Sequence, residues 1–333
     1  MDRRTFVVAL AGVLLVETRD NAGPQQAARM WRIGILVNSP ITDPAVVRIF
    51  EAFFMTLGDR GYIEGKNLVV DRRFADGRDE RFPALAAELV RLEPDVIVAG
   101  SGPATLAVKA LTSTIPIVMA GVGDPVGRGL VRSLARPGGN ITGISNLQLD
   151  LISKRVELLK SAIPQIARVV LISNAGGIEP ALLATIRKEQ DAAAKSLGVT
   201  LVRVELNTPP EWPGMAETIG RDRPDALALA PTVINFNLRR EIAEFANAQR
   251  LPTVGANRDQ AVAGFLISYG SGADDLYRHV AVYVDKILKG AKPGDLPIEQ
   301  PTTFKLVINL KTAKTIGVTI PQSLLLRADE VIQ

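Results

Sequence analysis

From Trp31 onward the chain alternates short β-branched or aliphatic runs with longer runs in which apolar positions recur every three or four residues. Runs of the first kind fit strands buried on both faces, and runs of the second put one apolar stripe on a helix. Strands are expected at 31–37 (WRIGILV), 68–74 (LVVDRRF), 95–100 (DVIVAG), 115–121 (IPIVMAG) and 141–146 (ITGISN). Between them fall a helix after Asp43-Pro44 with Val46, Phe50, Phe53, Phe54 and Leu57 on one stripe, a helix at about 80–92, and one from about Ala104. Such alternation implies a parallel sheet built with right-handed crossovers.

The rhythm then restarts. A helix carrying Ile152, Val156, Leu159 and Ile163 leads to a strand at 168–174, a long helix at about 179–197, and strands at 200–206 and 226–231. A helix at about 235–249, strands at 252–256 and 265–270, and a helix at 274–288 follow. The segment 289–301 (KGAKPGDLPIEQP) has three prolines and reads as a linker before a last strand at 304–310 and a short helix from Lys311. The expected fold is α/β, with two Rossmann-like, doubly wound lobes. Open α/β sheets bind ligands beyond the carboxyl ends of their strands, so the strand-end loops of both lobes are expected to face one central cleft.

The first 24 residues read differently. MDRRTF precedes an apolar run from Phe6 to Val16 and a polar exit, ETRDNAG. A basic start and a short apolar stretch describe an export signal, and the run is shorter than the roughly 20 residues a membrane span requires. Arg3-Arg4-Thr5-Phe6-Val7 fits a twin-arginine signal; an ordinary secretory signal with two arginines is the alternative. Either way a periplasmic or other extracytoplasmic location is expected. With no Cys in the chain, a lipid-anchored cysteine is not.

Composition narrows the chemistry. Of 333 residues, 47% are hydrophobic and 22% charged, which is globular, and at roughly 100–200 residues per domain two domains are the natural count. The absence of Cys removes thiolate nucleophiles, disulfides and Fe–S clusters, and a single His, His279, leaves no multi-histidine metal site. His279 lies among Leu276, Val280, Tyr283 and Ile287 at helical spacing, which reads as a partly exposed helix residue. Net charge is +4 without a basic cluster interleaved with aromatics, so no nucleic-acid partner is expected.

The strand-end loops hold the candidate ligand contacts. GSGPAT (100–105) departs from a dinucleotide fingerprint because Thr105 stands where a third Gly is required. Ser101 and Gly102 open a helix whose early amides, at Ala104 and Thr105, can meet an anion with the favourable end of the helix dipole; Ser101 as a simple cap is the alternative. In GVGDPVGRG (121–129), Asp124 can accept from a ligand amine or merely form an Asx-Pro turn. Asn38 and Ser39 follow the first strand and either face a ligand or cap the next helix. In the second half Asn174, Asn235, Asn257 and Tyr269 end strands or follow them, with caps, turns or packing as equal alternatives. Phe74, Phe236 and Tyr269 could stack on an apolar ligand. Trp31, at the opposite end of its strand, reads as packing. The set is neutral, polar and free of an acid–base pair in a recognisable motif, which fits binding better than catalysis.

Three long stretches carry a resemblance: 86–99 (AAELVRLEPDVIVA), 114–143 (TIPIVMAGVGDPVGRGLVRSLARPGGNITG) and 283–332 (YVDKILKGAKPGDLPIEQPTTFKLVINLKTAKTIGVTIPQSLLLRADEVI). The chain from about Arg29 resembles the ABC-transporter substrate-binding protein family that includes tryptophan-type amino-acid receptors. The resemblance implies a periplasmic-binding-protein type I architecture with three crossovers, near 144–150, 264–272 and 290–303. It implies an amino-terminal lobe of 29–146 plus about 271–290 and a carboxyl-terminal lobe of 147–264 plus about 303–333. By similarity the ligand site lies at Asn38–Ser39, Ser101–Thr105 and Asp124. Two departures concern the ligand: SNAGGIEP (173–180) replaces the Asn-Pro-rich loop of many relatives, and ANRDQA (256–261) lacks their aromatic residue.

The expected function is a solute receptor that closes on a small carboxylate-bearing molecule, an amino acid or a relative, and delivers it to an inner-membrane ABC permease driven by a separate ATPase. A monomer without cofactor or metal is expected. The alternatives are a cleft enzyme on the same architecture, such as an epimerase or transferase using Asp124, and a sensory domain serving a membrane signalling partner. An amino-terminal helix-turn-helix, which a transcription regulator would need, is replaced by the apolar run.

Overall fold

The computed structural model describes residues 29–146, 151–174 and 180–333; the export-signal reading lies outside them, as do 147–150 and 175–179. The chain begins β1 (Trp31–Val37), α1 (Pro44–Gly58), β2 (Leu68–Phe74), α2 (Phe82–Arg91), β3 (Val96–Ala99), α3 (Gly102–Lys109), β4 (Ile117–Val122), β5 (Ile141–Ser145). These strands form one sheet, ordered β2-β1-β3-β4-β5, with every pair parallel. It then runs α4 (Ile152–Ala162), β6 (Arg168–Ser173), α5 (Pro180–Ser196), β7 (Thr200–Glu205), α6 (Trp212–Asp222), β8 (Ala226–Leu229), α7 (Val233–Asn237), α8 (Arg239–Ala248). The remainder is β9 (Thr253–Gly255), α9 (Arg258–Ala263), β10 (Ile267–Gly270), α10 (Ala273–Leu288), β11 (Lys305–Asn309), α11 (Leu310–Ile316), α12 (Gln322–Leu325), β12 (Glu330–Ile332). The second sheet is ordered β12-β11-β10-β9-β8-β6-β7.

Each sheet is covered on both faces by apolar packing. On the first, Ile33, Ile35, Val98 and Val118 meet Phe50 and Phe53 of α1 and Val280, Val284 and Ile287 of α10. On its other face Leu36, Ile97 and Met119 meet Phe82, Leu89 and Val108. The second sheet repeats the plan, with Val169, Leu171 and Val254 against α4 and α11, and Val170, Ile172 and Leu227 against Trp212, Ile219 and Ile242. Because α10 follows β10 of the second sheet yet packs on the first, the chain crosses between the lobes between Gly270 and Ala273, and it returns before β11. The segment between α10 and β11 touches the first sheet through a bridge between Ile144 and Glu299.

Local chemistry sets the strand-to-helix turns that face the cleft. Asp43 caps α1 by accepting from Ala45 N at 2.9 Å, and Pro44 fills the first helical position, where a missing N–H costs nothing. Asn257 and Gln260 form a reciprocal capping box on α9. Gly143, at φ +129°, lets β5 lie against β4: a Cβ there would stand 2.3 Å from the Met119 carbonyl oxygen.

The structure departs from the sequence reading at several elements, among them two short helices absent from it, α9 between β9 and β10 and α12 between α11 and β12. A helix absent from that reading, α6, lies between β7 and β8. The single helix expected at 235–249 is two, α7 and α8, meeting at Leu238. β11 runs antiparallel to β10, against the parallel expectation, because the chain re-enters this sheet from the crossover side, at the carboxyl ends of its neighbours. A short edge strand, β12, closes the sheet beside β11. His279 is on α10 with most of its side chain exposed, its Nδ1 3.0 Å from Glu299 Oε2. Trp31 packs edge-on to Tyr62 under the Arg29 guanidinium, away from the cleft.

Candidate functional site

In each sheet the strand order reverses at one point: between β1 and β3 in the first, and between β6 and β8 in the second. Helices leave in opposite directions there, which opens a crevice at the carboxyl ends. The two crevices face each other and enclose two adjoining chambers that share Gly100, Gly121, Asn146 and the segment Pro231–Val233 as walls.

The first chamber, of about 190 Å³, is mostly apolar. Val46, Ile49 and Phe50 of α1 and Leu276 and Tyr277 of α10 form one side, and Val233 and Phe236 of α7 the other. Phe50 and Tyr277 meet edge to face at 5.8 Å, and Phe74 supports Phe50 from behind at 6.3 Å. Burial pushes the Tyr277 phenol up to about 12, so it is a neutral hydroxyl at any physiological pH, and among the described residues it makes no hydrogen bond. The floor exists because residue 100 is glycine: a Cβ there would lie 2.6 Å from Val37 Cγ1 and 3.1 Å from Tyr277 Oη.

The second chamber, of about 150 Å³, has a mixed lining and holds the charged side chains of the cleft wall, Asp79 and Arg128. Ser101 and Gly102 at the start of α3, Arg128, Asp79 and Asn174 contribute to its wall. The Arg128 guanidinium lies across the amino end of α3, 3.5 Å from where a Cβ of Gly102 would be, and its Nε donates to Gly123 O at 2.9 Å. Burial lowers the Arg128 pKa, opposed by the charge of Asp124. The Asp79 carboxyl accepts from Asn38 Nδ2; partial desolvation raises its pKa, against the pull of that bond.

Polar contacts join the two lobes along the lip of the cleft. Ser39 Oγ donates to Asn237 Oδ1 at 2.7 Å, and Asn237 Nδ2 donates to Asn38 Oδ1 at 2.9 Å. Arg239 Nη2 reaches Asp43 Oδ1 at 2.6 Å, and Arg48 Nη2 spans both oxygens of Asp259 at 2.9 Å. Arg48 Nε is held by Asp274 at 3.0 Å on its own lobe. The lobes are therefore closed on each other on this side.

Of the residues expected at a ligand, the structure puts Asn38, Ser39 and Asn257 in the wall of the first chamber and Ser101, Gly102 and Asn174 in that of the second. Others lie elsewhere. The amides expected to meet an anion are taken: Ala104 N donates to Ser101 Oγ at 3.2 Å and Thr105 N to Ser101 O at 2.9 Å, while Pro103 has none. Thr105 Oγ1 also donates to Ser101 O, at 2.7 Å, and both Ala104 and Thr105 are fully buried behind the wall. Asp124 turns back to accept from Gly127 N at 2.9 Å and reaches the chamber only through its field on Arg128. Asn235 is buried, with Nδ2 donating to Ile172 O at 3.0 Å and Ala230 O at 2.9 Å, which pins the loop after β8 to β6. Tyr269 lies one residue inside β10, its ring against Phe304 at 6.1 Å and its carbonyl held by the buried Arg155 at 2.8 Å. Of the three aromatics considered for stacking, only Phe236 lines the cleft. Asp79, Arg128, Tyr277 and Gln260 line it without having been singled out; their one signal in the sequence is proximity to a strand end or a helix start. Among the described residues no cluster of His, Cys, Asp and Glu is placed to hold a metal.

Comparison with known proteins agrees with this architecture. Residues 34–332 match the model of the ABC transporter substrate binding protein family. A tyrosine-binding protein of Clostridioides difficile (strain R20291) is 26% identical over 282 residues, 84% of this chain and 79% of the relative. The crystal structure of a conserved domain protein from Vibrio cholerae O1 biovar eltor superposes with a TM-score of 0.83 at 28% identity, covering 91% of this chain and 100% of that one. The structure of an ABC domain from Streptococcus pneumonia in complex with L-Trp gives a TM-score of 0.82 at 25% identity, with the same coverage.

Proposed function

Since the chain belongs to the ABC transporter substrate binding protein family, we propose that it captures an amino acid with an apolar or aromatic side chain between its lobes and hands it to a membrane permease for import. The observation that carries this reading is the pairing of chambers: one walled by Phe50, Phe236 and Tyr277 adjoins one walled in part by the charged Asp79 and Arg128. A ligand with an apolar body and a charged head fits that division, and the relatives named for tyrosine and L-Trp have such ligands. Asn38, Ser39, Ser101, Gly102, Asn174 and Asn257 are the proposed neutral contacts.

In this reading the lobes 29–146 with 271–290 and 147–264 with 303–333 rotate about crossovers near 144–150, 264–272 and 290–303. Hinge rotation at a few residues suffices, and the solute must bind the closed form more tightly than the open one for closure to report occupancy. The protein acts outside the cytoplasm, exported by residues 1–24, as a monomer that leaves its solute chemically unchanged.

The test is titration calorimetry of the full chain with the twenty amino acids, and with glucose, ribose and uracil as unrelated solutes. Binding of an apolar or aromatic amino acid at micromolar or tighter dissociation constant, about −8 kcal/mol or better, supports the reading, provided mass spectrometry recovers the ligand unaltered. Binding confined to the unrelated solutes, or conversion of the ligand to a product, overturns it.

A further inference from the structure

The turn from β9 into α9, within ANRDQA (256–261), gives the first chamber part of its wall through Asn257 and Gln260. Both side chains end in an amide, and the capping box fixes which way each amide is turned. Gln260 Oε1 accepts from Ala256 N at 2.6 Å and from Asn257 N at 3.3 Å, and Asn257 Oδ1 accepts from Gln260 N at 3.2 Å. A backbone N–H only donates, so both oxygens are held by the turn and each amide is left with its NH2 group. Neither Gln260 Nε2 nor Asn257 Nδ2 has an acceptor among the described residues, and Gln260 is 1% exposed. The second lobe thus offers this chamber two amide groups that donate and do not accept. Tyr277 Oη of the first lobe is also without a partner among the described residues, but a hydroxyl either donates or accepts and so favours neither kind of ligand atom by itself. Among the described residues no charged side chain lines the chamber.

Resting on the reading above, we infer that Asn257 and Gln260 are specificity-determining residues, which select amino acids whose side chain carries a neutral oxygen acceptor on an apolar or aromatic body. The physical reason is the asymmetry of a hydrogen bond. In an open cleft water satisfies both NH2 groups. A side chain that fills the closed chamber expels that water; with an acceptor it replaces the lost bond, and without one it leaves a buried donor unpaired, which costs more than a made bond gains. A pocket built around a hydrogen bond therefore rejects an isostere that lacks it more sharply than an apolar pocket rejects a missing methylene. A phenol or ether oxygen answers the two amides. The indole N–H of tryptophan donates and does not, and phenyl and aliphatic side chains bring nothing. A side-chain carboxylate accepts, but it carries a charge into a wall without a cation, and its desolvation is uncompensated. Of the twenty amino acids, tyrosine alone joins an aromatic body to such an oxygen.

The experiment is calorimetry of the full chain with two pairs matched in shape and differing by one ether oxygen: 4-methoxy-L-phenylalanine with 4-ethyl-L-phenylalanine, and O-methyl-L-homoserine with L-norleucine. In the unaltered protein the ether of at least one pair is expected to bind about tenfold or more tightly than its hydrocarbon partner. Both pairs are also titrated into Gln260→Glu and Asn257→Asp, with folding checked by circular dichroism. Each substitution keeps an oxygen for the capping box and removes the NH2 group. The new charge acts on both members of a pair and cancels in their ratio. Since an ether oxygen only accepts, its advantage is expected to fall to threefold or less in at least one variant. A merely structural role would weaken both members by one factor and leave the ratio fixed in both variants; that result overturns the inference. So does an unaltered protein in which neither ether binds more than threefold better than its partner, or does not bind at all. Tightest binding, among the twenty amino acids, of one whose side chain has no oxygen overturns it as well, and these two readouts do not depend on a variant's folding. With an amino acid still bound in the wider titration, each of these results leaves the proposed function standing. Binding of no amino acid overturns the proposed function and this inference with it.

Discussion

Arg239 offers the sharpest handle on closure. Its side chain is 5% exposed and that of its partner Asp43 13%, and the two meet across the lip of the cleft at 2.6 Å. Arg239 Nη1 also donates to Phe236 O at 2.8 Å, with the guanidinium 4.4 Å from the centre of the Phe236 ring. Arg239→Met keeps the length and apolar stem and removes the charge. In the closed form Asp43 then stays largely buried without a cation; in an open form water reaches it. The penalty therefore falls on closing rather than on folding. Removing one partner of a buried, hydrogen-bonded charge pair costs about 2–5 kcal/mol. Asp43 keeps its bond to Ala45 N, so the lower part of that range applies, about 2–3 kcal/mol. At about 1.4 kcal/mol per decade, the dissociation constant for the bound amino acid rises roughly 30- to 150-fold. Titration calorimetry measures this directly, and the thermal midpoint without ligand is expected to move by only a few degrees. An affinity within threefold of the unaltered protein refutes the reasoning, because the pair would then play no part in the state that holds ligand.

Three further outcomes follow from the same geometry. Arg48→Ala removes a pair whose arginine is 38% exposed, so solvent screening limits its worth to roughly 0.5–1 kcal/mol and the affinity loss to two- to fivefold; the difference is expected to shrink at 1 M salt, where the Debye length is about 3 Å, and a loss insensitive to salt contradicts the assignment. Thr105→Val is expected to leave ligand affinity within twofold, since its hydroxyl serves Ser101 O rather than the cleft, while urea unfolding shows a loss of about 1 kcal/mol; a tenfold affinity loss in a folded variant would return Thr105 to the site. Gly143→Ala combines a φ of +129° with a Cβ 2.3 Å from Met119 O, and a destabilisation on the order of 2–4 kcal/mol is expected in urea unfolding; a midpoint unchanged within error contradicts the β4–β5 geometry.

What the chain discloses unaided follows from which signals are local. Strand and helix periods are local, so the two βα arrays are visible in 31–146 and 151–288, and the switch points put Asn38, Ser39, Ser101, Gly102, Asn174 and Asn257 at the cleft without knowledge of their partners. The helix α6 escapes because Pro209, Pro210 and Pro213 crowd its start and only Trp212, Met215 and Ile219 mark its apolar side. Ala104 and Thr105 lie on a helix start that does face the cleft, but Ser101 consumes both amides, a competition that spacing alone does not reveal. Tyr269 looks like a strand end, yet β10 continues to Gly270, and Ser271 is the residue that reaches the chamber. The charged pair escapes altogether. Asp79 and Arg128 lie far apart in the chain, each in a turn that reads as solvated surface, and only the closing of β1, β3 and β4 side by side brings them to one chamber. Contacts between lobes, such as Asn237 with Asn38 and Ser39, are likewise invisible because nothing in either segment encodes the other.

The central claim is that this chain is a pair of hinged lobes that shut on a solute. Small-angle X-ray scattering of the full chain, bare and saturated with the tightest-binding amino acid from the calorimetric titration, tests it most directly. The account predicts a smaller radius of gyration and a shorter maximum dimension in the saturated sample, with Arg239→Met requiring proportionally more ligand to reach the same curve. Superimposable curves at proven saturation would contradict it.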